Sequence, residues 1–154
     1  MRIAMTAGGV LVVLLLALTL ATSGRARPNA VHTCSATDRQ FIETARTNMT
    51  ALELWSEQYG NGEASKGDLV RQAGTAAKIV RGSRPTDFAL QQTRSLVIGM
   101  LVEYAKAVQL QGKRGGDAGP HMYRAYGLAN FAHSVLVRAR KPLGKLGCDV
   151  RPLL

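Results

Sequence analysis

Cysteine, aromatic residues and acidic side chains are all scarce in this chain, and each shortage excludes something. The two cysteines, Cys34 and Cys148, form no C-x-x-C pair or Cys/His cluster, so no zinc-binding pattern is present. Aromatics make up 5% of 154 residues, which leaves a core of Leu, Val, Ile, Ala and Met, the usual filling between helices. Val, Ile and Tyr nowhere alternate with polar residues, so the period-two signature of strands is missing. Glu43, Glu53, Glu57 and Glu103 lack the Glu-x-x-His spacing of di-iron bundles, and no nucleophile stands beside a base in a recognisable motif. The sequence therefore offers no catalytic residue and no metal site, and it calls for no cofactor.

What is present first is one long apolar run. Val10 to Ala21 reads VLVVLLLALTLA behind the single positive side chain Arg2, the shape of an export signal. Thr19 and Ala21, or Ala21 and Ser23, supply small residues at cleavage spacing, which sets residues 1–23 apart as a signal peptide. An uncleaved membrane anchor competes with cleavage, because Ile3 to Thr22 is uncharged and about 20 residues suffice to span a bilayer. Arg25 and Arg27 just beyond the run would favour a cytoplasmic C-terminal part, whereas the cysteines favour export. An excess of Arg (14) over Lys (6), with abundant Ala and Gly, suits a GC-rich bacterial gene.

Beyond an irregular linker over residues 24–36, four stretches carry apolar residues at helical spacing. In the first, Thr37 and Gln40 form a capping-box pattern ahead of Phe41, Ile42, Ala45, Met49, Leu52, Trp55 and Tyr59, and Gly60-Asn61-Gly62 stops it. The second opens with Ser65 and Asp68, runs through Leu69, Ala73, Ala76, Ala77 and Val80, and ends at Gly82-Ser83-Arg84-Pro85. Thr86 or Asp87 caps the third, in which Leu90, Thr93, Val97, Leu101, Tyr104 and Val108 align. Within it, Leu96 to Val102 is apolar all round, which implies deep burial or a homodimer contact through Ile98 and Val102. After a Gly-rich loop, Pro120 suits the first turn of a fourth helix carrying Met122, Tyr126, Ala129, His133 and Leu136, widened by Leu128, Ala132 and Val135 and ended by Pro142 and Gly144.

The expected fold is thus all-α: a single-domain, up-and-down four-helix bundle over residues 37–148, with a C-terminal tail at 149–154. Cys34 precedes the first helix and Cys148 follows the last. An even number of antiparallel helices brings those two ends together, so a disulfide is the simple reading, and such bonds persist in oxidising compartments. Two unpaired buried thiols are the alternative.

Removing residues 1–23 takes away one base, Arg2, and leaves a formal charge of +9. The charge is uneven, with two basic and four acidic residues over 35–59 but nine basic and two acidic over 106–151. Lys113, Arg114, Arg138, Arg140, Lys141 and Lys145 form the expected basic surface. An exported basic protein meets anionic lipid headgroups and acidic envelope polymers first; nucleic acid is not expected, since no binding motif is present. His133 is the one polar residue on an apolar stripe, and Met49 follows Cys34 at the same interval by which His133 precedes Cys148. A Met and a His on the first and last helices can ligate haem or a soft metal, although a histidine bonded to a neighbour is the simpler expectation. His32 and His121 near helix starts are expected to be exposed.

The functional expectation is an exported or envelope-associated interaction module without catalysis, binding an anionic surface or a partner protein. A small haem- or metal-binding bundle, or an enzyme without a recognisable motif, stands as the alternative. Cell fractionation is expected to recover the chain outside the cytoplasm; the whole chain in the cytoplasm with an intact N-terminus contradicts export.

Overall fold

The computed structural model describes residues 33–154. The expected signal or anchor over 1–23, His32 and all but the end of the linker lie outside the described residues. Those that are described form four helices, α1 (Ala36–Gly60), α2 (Lys66–Gly82), α3 (Phe88–Leu110) and α4 (Gly119–Lys145), followed by a 3-10 turn at Arg151–Leu153. No strand occurs among them. The described core and both cysteines fall in this part, which is one compact unit.

Three helix starts follow local side-chain chemistry. Ser65 and Asp68 make the reciprocal capping box at α2, each bonding the other's backbone N–H. Asp87 accepts from the N–H groups of Ala89 and Leu90 at α3. At α1 the cap is Ser35, not Thr37: its Oγ accepts from Asp38 N at 3.0 Å, repeating the Ser-x-x-Asp pattern of α2. Tertiary contact explains the choice. Asp38 is buried and accepts from Thr86 N (2.6 Å), Thr86 Oγ1 (2.8 Å) and Asp87 N (3.1 Å), tying the start of α1 to the loop before α3.

Hydrogen bonds between elements show the helices alternating in direction. Lys66 Nζ at the start of α2 donates to Gln111 O at the end of α3, while the Arg94 guanidinium near the start of α3 donates to Val80 O and Arg81 O at the end of α2. Glu103, late in α3, meets His121, early in α4. Sequential neighbours pack together, α1 on α2, α2 on α3 and α3 on α4. The ring stays open on one side, because no Cα of α1 lies within 8 Å of one in α4.

Helix α3 is central, which accounts for its apolar run. Val97, Met100 and Leu101 are buried, and Ile98 and Val102, the expected dimer contact, are half-buried against the core of their own chain. A Cβ at Gly99 would stand 3.2 Å from Leu128 Cδ1, so this glycine allows the close approach of α4.

The end of α4 departs from expectation in two ways. Pro142 lies inside the helix, which continues to Lys145; Pro142 is exposed, so the Arg138 carbonyl deprived of its N–H partner is on the solvent side. The stop comes at Gly147, whose φ of +82° is a left-handed conformation that only glycine adopts readily. It lets Cys148 N donate back to Leu143 O at 2.9 Å, the Schellman closure, and turns Cys148 inward. There it is bonded to Cys34 with Cα atoms 5.1 Å apart, and Cys34 N donates to Leu146 O at 2.7 Å. Residues 149–154 belong to the fold instead of trailing from it: Val150 is buried and the 3-10 turn packs on α1 and α4.

Two expectations follow. The disulfide spans 114 residues, and loop closure of that length contributes at most about 4–5 kcal/mol. Cys148→Ser should therefore lower the melting temperature markedly while leaving most helix signal in circular dichroism at room temperature, and an unchanged melting temperature contradicts the linkage. The second concerns Asp38. Burial alone would raise its pKa, but hydrogen bonds from Ser35, Asp87 and Thr86 outweigh burial and hold it at about 2 against an ordinary 3.8. A depressed carboxylate stabilises the fold above its unfolded pKa and loses that effect as pH falls through its folded one. Asp38→Asn should cost about 2 kcal/mol at pH 7, and the gap from wild type should close between pH ~4 and ~2. Chemical denaturation across that range measures it; a gap independent of pH contradicts the assignment.

Candidate functional site

The open side between α1 and α4 is a groove of about 590 Å³. Its walls and floor follow from helical periodicity. On α4, Met122, Tyr126, Ala129 and His133 recur at steps of four, three and four and line it. Ala45, Met49, Leu52 and Ser56 do the same on α1, and Thr93, Val97, Met100 and Tyr104 of α3 form the floor. Pro152, Leu153 and Leu154 contribute at the disulfide end. At 1.5 Å per residue the walls run about 17 Å along α1, from Ala45 to Ser56, and about 21 Å along α4, from Met122 to Leu136.

The stripe expected on α4 is present, but its centre faces empty space. Core contact is made by Leu136 of that stripe, by Ala132 and Val135 of the sector expected to widen it, and by Ala125, Ala139 and Leu143, all buried. Small Ala side chains bring α3 and α4 together, leaving Met122, Tyr126 and His133 exposed at the groove wall.

Polar groups inside the groove are largely satisfied by the protein. Thr93 Oγ1 donates to Ala89 O at 2.8 Å, so its hydroxyl is satisfied within α3. Ser56 Oγ donates to Leu52 O at 2.8 Å and shares a further 2.8 Å bond with Tyr104 OH, joining α1 to α3. Arg46 at the rim is ion-paired with Glu43, whose carboxyl is held below the usual range by that bond. No buried side-chain N or O lacks a partner among the described residues. The groove is an apolar surface with three thioethers, Met49, Met100 and Met122, whose flexible side chains adapt to varied shapes.

Met49 and His133 occupy opposite walls of this groove. His133 is exposed there, not tucked against a neighbour in the core. The remaining expected residues scatter. Lys113 and Arg114 are exposed in the loop before α4, and Arg138, Arg140, Lys141 and Lys145 are exposed in its last turns, so most of α4, roughly 29 Å from Gly119 to Arg138, separates the two groups. They form no single basic pocket.

His121, expected to be exposed, is half-buried and bonded. Its Nδ1 lies 2.7 Å from Glu103 Oε2, and Lys106 Nζ (3.0 Å) and Arg124 (3.8 Å) face the same carboxyl. Bonds from His121, then Lys106, hold Glu103 below the usual carboxylate range. This cluster ties α3 to α4 near the Gly-rich loop. No group of three or more His, Cys, Asp or Glu side chains able to hold a metal occurs among the described residues.

Sequence reasoning missed the floor and the end wall. Val97 and Tyr104 were visible as core positions, since periodicity marks an apolar face without saying what covers it. Leu153 lay in a segment read as a tail. Comparison with family models, curated proteins and solved structures finds no match for this chain, so the identity of the groove's ligand has to follow from its shape and lining.

Proposed function

We propose that this protein is an exported, non-enzymatic binding module that holds a slender apolar ligand in the groove between α1 and α4. The groove itself carries the proposal. Its 590 Å³ falls within the roughly 300–1,000 Å³ of small-ligand sites. A partner helix, ~10 Å across, would place only one face in such a groove. An extended aliphatic chain or small ring system suits the space better, and the Met-rich lining favours tolerance over strict selection.

Export rests on the apolar run at residues 10–21 and on the Cys34–Cys148 bond, which belongs in an oxidising compartment. A second reading has a specific observation behind it: Met49 from α1 and His133 from α4 line opposite walls of the groove and would offer a thioether and an imidazole to a planar haem.

Residues 33–154, purified with the disulfide intact, should bind a fluorescent apolar probe such as N-phenyl-1-naphthylamine saturably. Ala129→Trp, which fills the groove from α4, should weaken binding about tenfold or more. Phe88→Ser, which removes an exposed ring outside the groove, should leave it unchanged. Equal loss in both variants, or no saturable binding, contradicts the groove as the site. Haemin added to the same protein separates the second reading, which requires a shifted Soret band that His133→Ala abolishes.

A further inference from the structure

The outward face of α4 has a composition unlike the rest of the surface. The helix contains no Asp or Glu in 27 residues but holds Arg124, Arg138, Arg140, Lys141 and Lys145. At 100° per residue, Tyr123, Phe131, Arg138, Lys141 and Lys145 fall within about 80° of one another, on the side turned away from α3. Both rings project into solvent, Tyr123 at 83% exposure and Phe131 at 58%, and Val137 at their edge is 51% exposed. Arg138, Lys141 and Lys145 have no ion-pair partner among the described residues. Lys113 and Arg114 in the preceding loop extend the positive charge past the other end of the helix.

We propose that this face of α4 docks the protein, helix axis parallel to the surface, on an anionic lipid bilayer. Two observations select lipid over a soluble polyanion. Charge alone would satisfy a polyanion, whereas exposed Tyr and Phe among unpaired cations suit the headgroup boundary, where rings enter the acyl edge and Lys and Arg remain with the phosphates. Charge also orients the molecule, because the segment containing α1 carries four acidic and two basic residues and belongs to the side turned away from the membrane. The proposal goes beyond the groove reading and is tested apart from it, since probe binding in solution requires no vesicle.

Residues 33–154 are sedimented with vesicles of phosphatidylcholine alone or mixed with phosphatidylglycerol. Binding is expected only to the mixed vesicles and should weaken as the Debye length shrinks from ~10 Å to ~3 Å with added salt. Replacing Arg138, Lys141 and Lys145 together with Gln should reduce partitioning about a hundredfold. Tyr123→Ser with Phe131→Ser should reduce it about tenfold without changing the net charge. All five positions are exposed, and unchanged circular dichroism establishes that the variants fold. Three results overturn the proposal: equal binding to neutral vesicles, insensitivity to the ring substitutions, or polyphosphate or single-stranded DNA binding that depends on the same cations and rings as tightly as the vesicles do.

Discussion

The bond between Cys34 and Cys148 is the constraint on which the rest of the structure depends. It joins the start of α1 to the end of α4, two helices that do not pack on each other along their length. Around it lie the Cys34 N–H bond to Leu146 O, the Gly147 reversal and buried Val150, all within a few residues. This closure sets the separation of α1 and α4 at one end. Farther along, the Ser56 to Tyr104 bond holds α1 to α3 instead of to α4. The walls are thereby fixed at both ends without meeting, and a groove persists where a closed bundle would have a fourth helix–helix seam.

Helix α4 shows how a single element serves three surroundings. Its Ala-rich side packs on α3 at the close distance that Gly99 permits. The next sector, from Met122 to His133, lines the groove, and the outward sector carries rings and cations. Broad apolar stripes are ordinarily read as broad burial. Here the width divides into a buried part and an open part, and the division is set by where α1 stands.

Acidic groups contribute to the fold mainly as local anchors. Asp38 bonds the α1 start to residues 86 and 87, Glu103 gathers three basic groups at the α3–α4 joint, and Asp149 is bonded to Arg151, which holds its pKa at about 2. Because these acids are occupied close to home, the basic excess is left at the surface, most visibly along α4. Only Asp38 is buried, so it is the one whose titration bears strongly on stability.

Much of the fold was legible in the sequence, because its determinants are local. Apolar spacing located four helices; Ser65 with Asp68 and Asp87 marked two starts, and the cysteines flanking an even number of helices indicated the bond. The shift of the α1 cap to Ser35 and the folding of residues 149–154 were decided by contacts from distant residues, Thr86 and the disulfide among them, and α4 continues through Pro142 because that proline lies on its solvent side. The candidate site was half visible. Met49 and His133 stood out in the sequence, but their placement on facing walls, and the α3 floor beneath them, depended on the packing of α1 and α4. Helical periodicity says which face of a helix avoids water, and the arrangement of the other helices decides whether protein or a groove lies against that face.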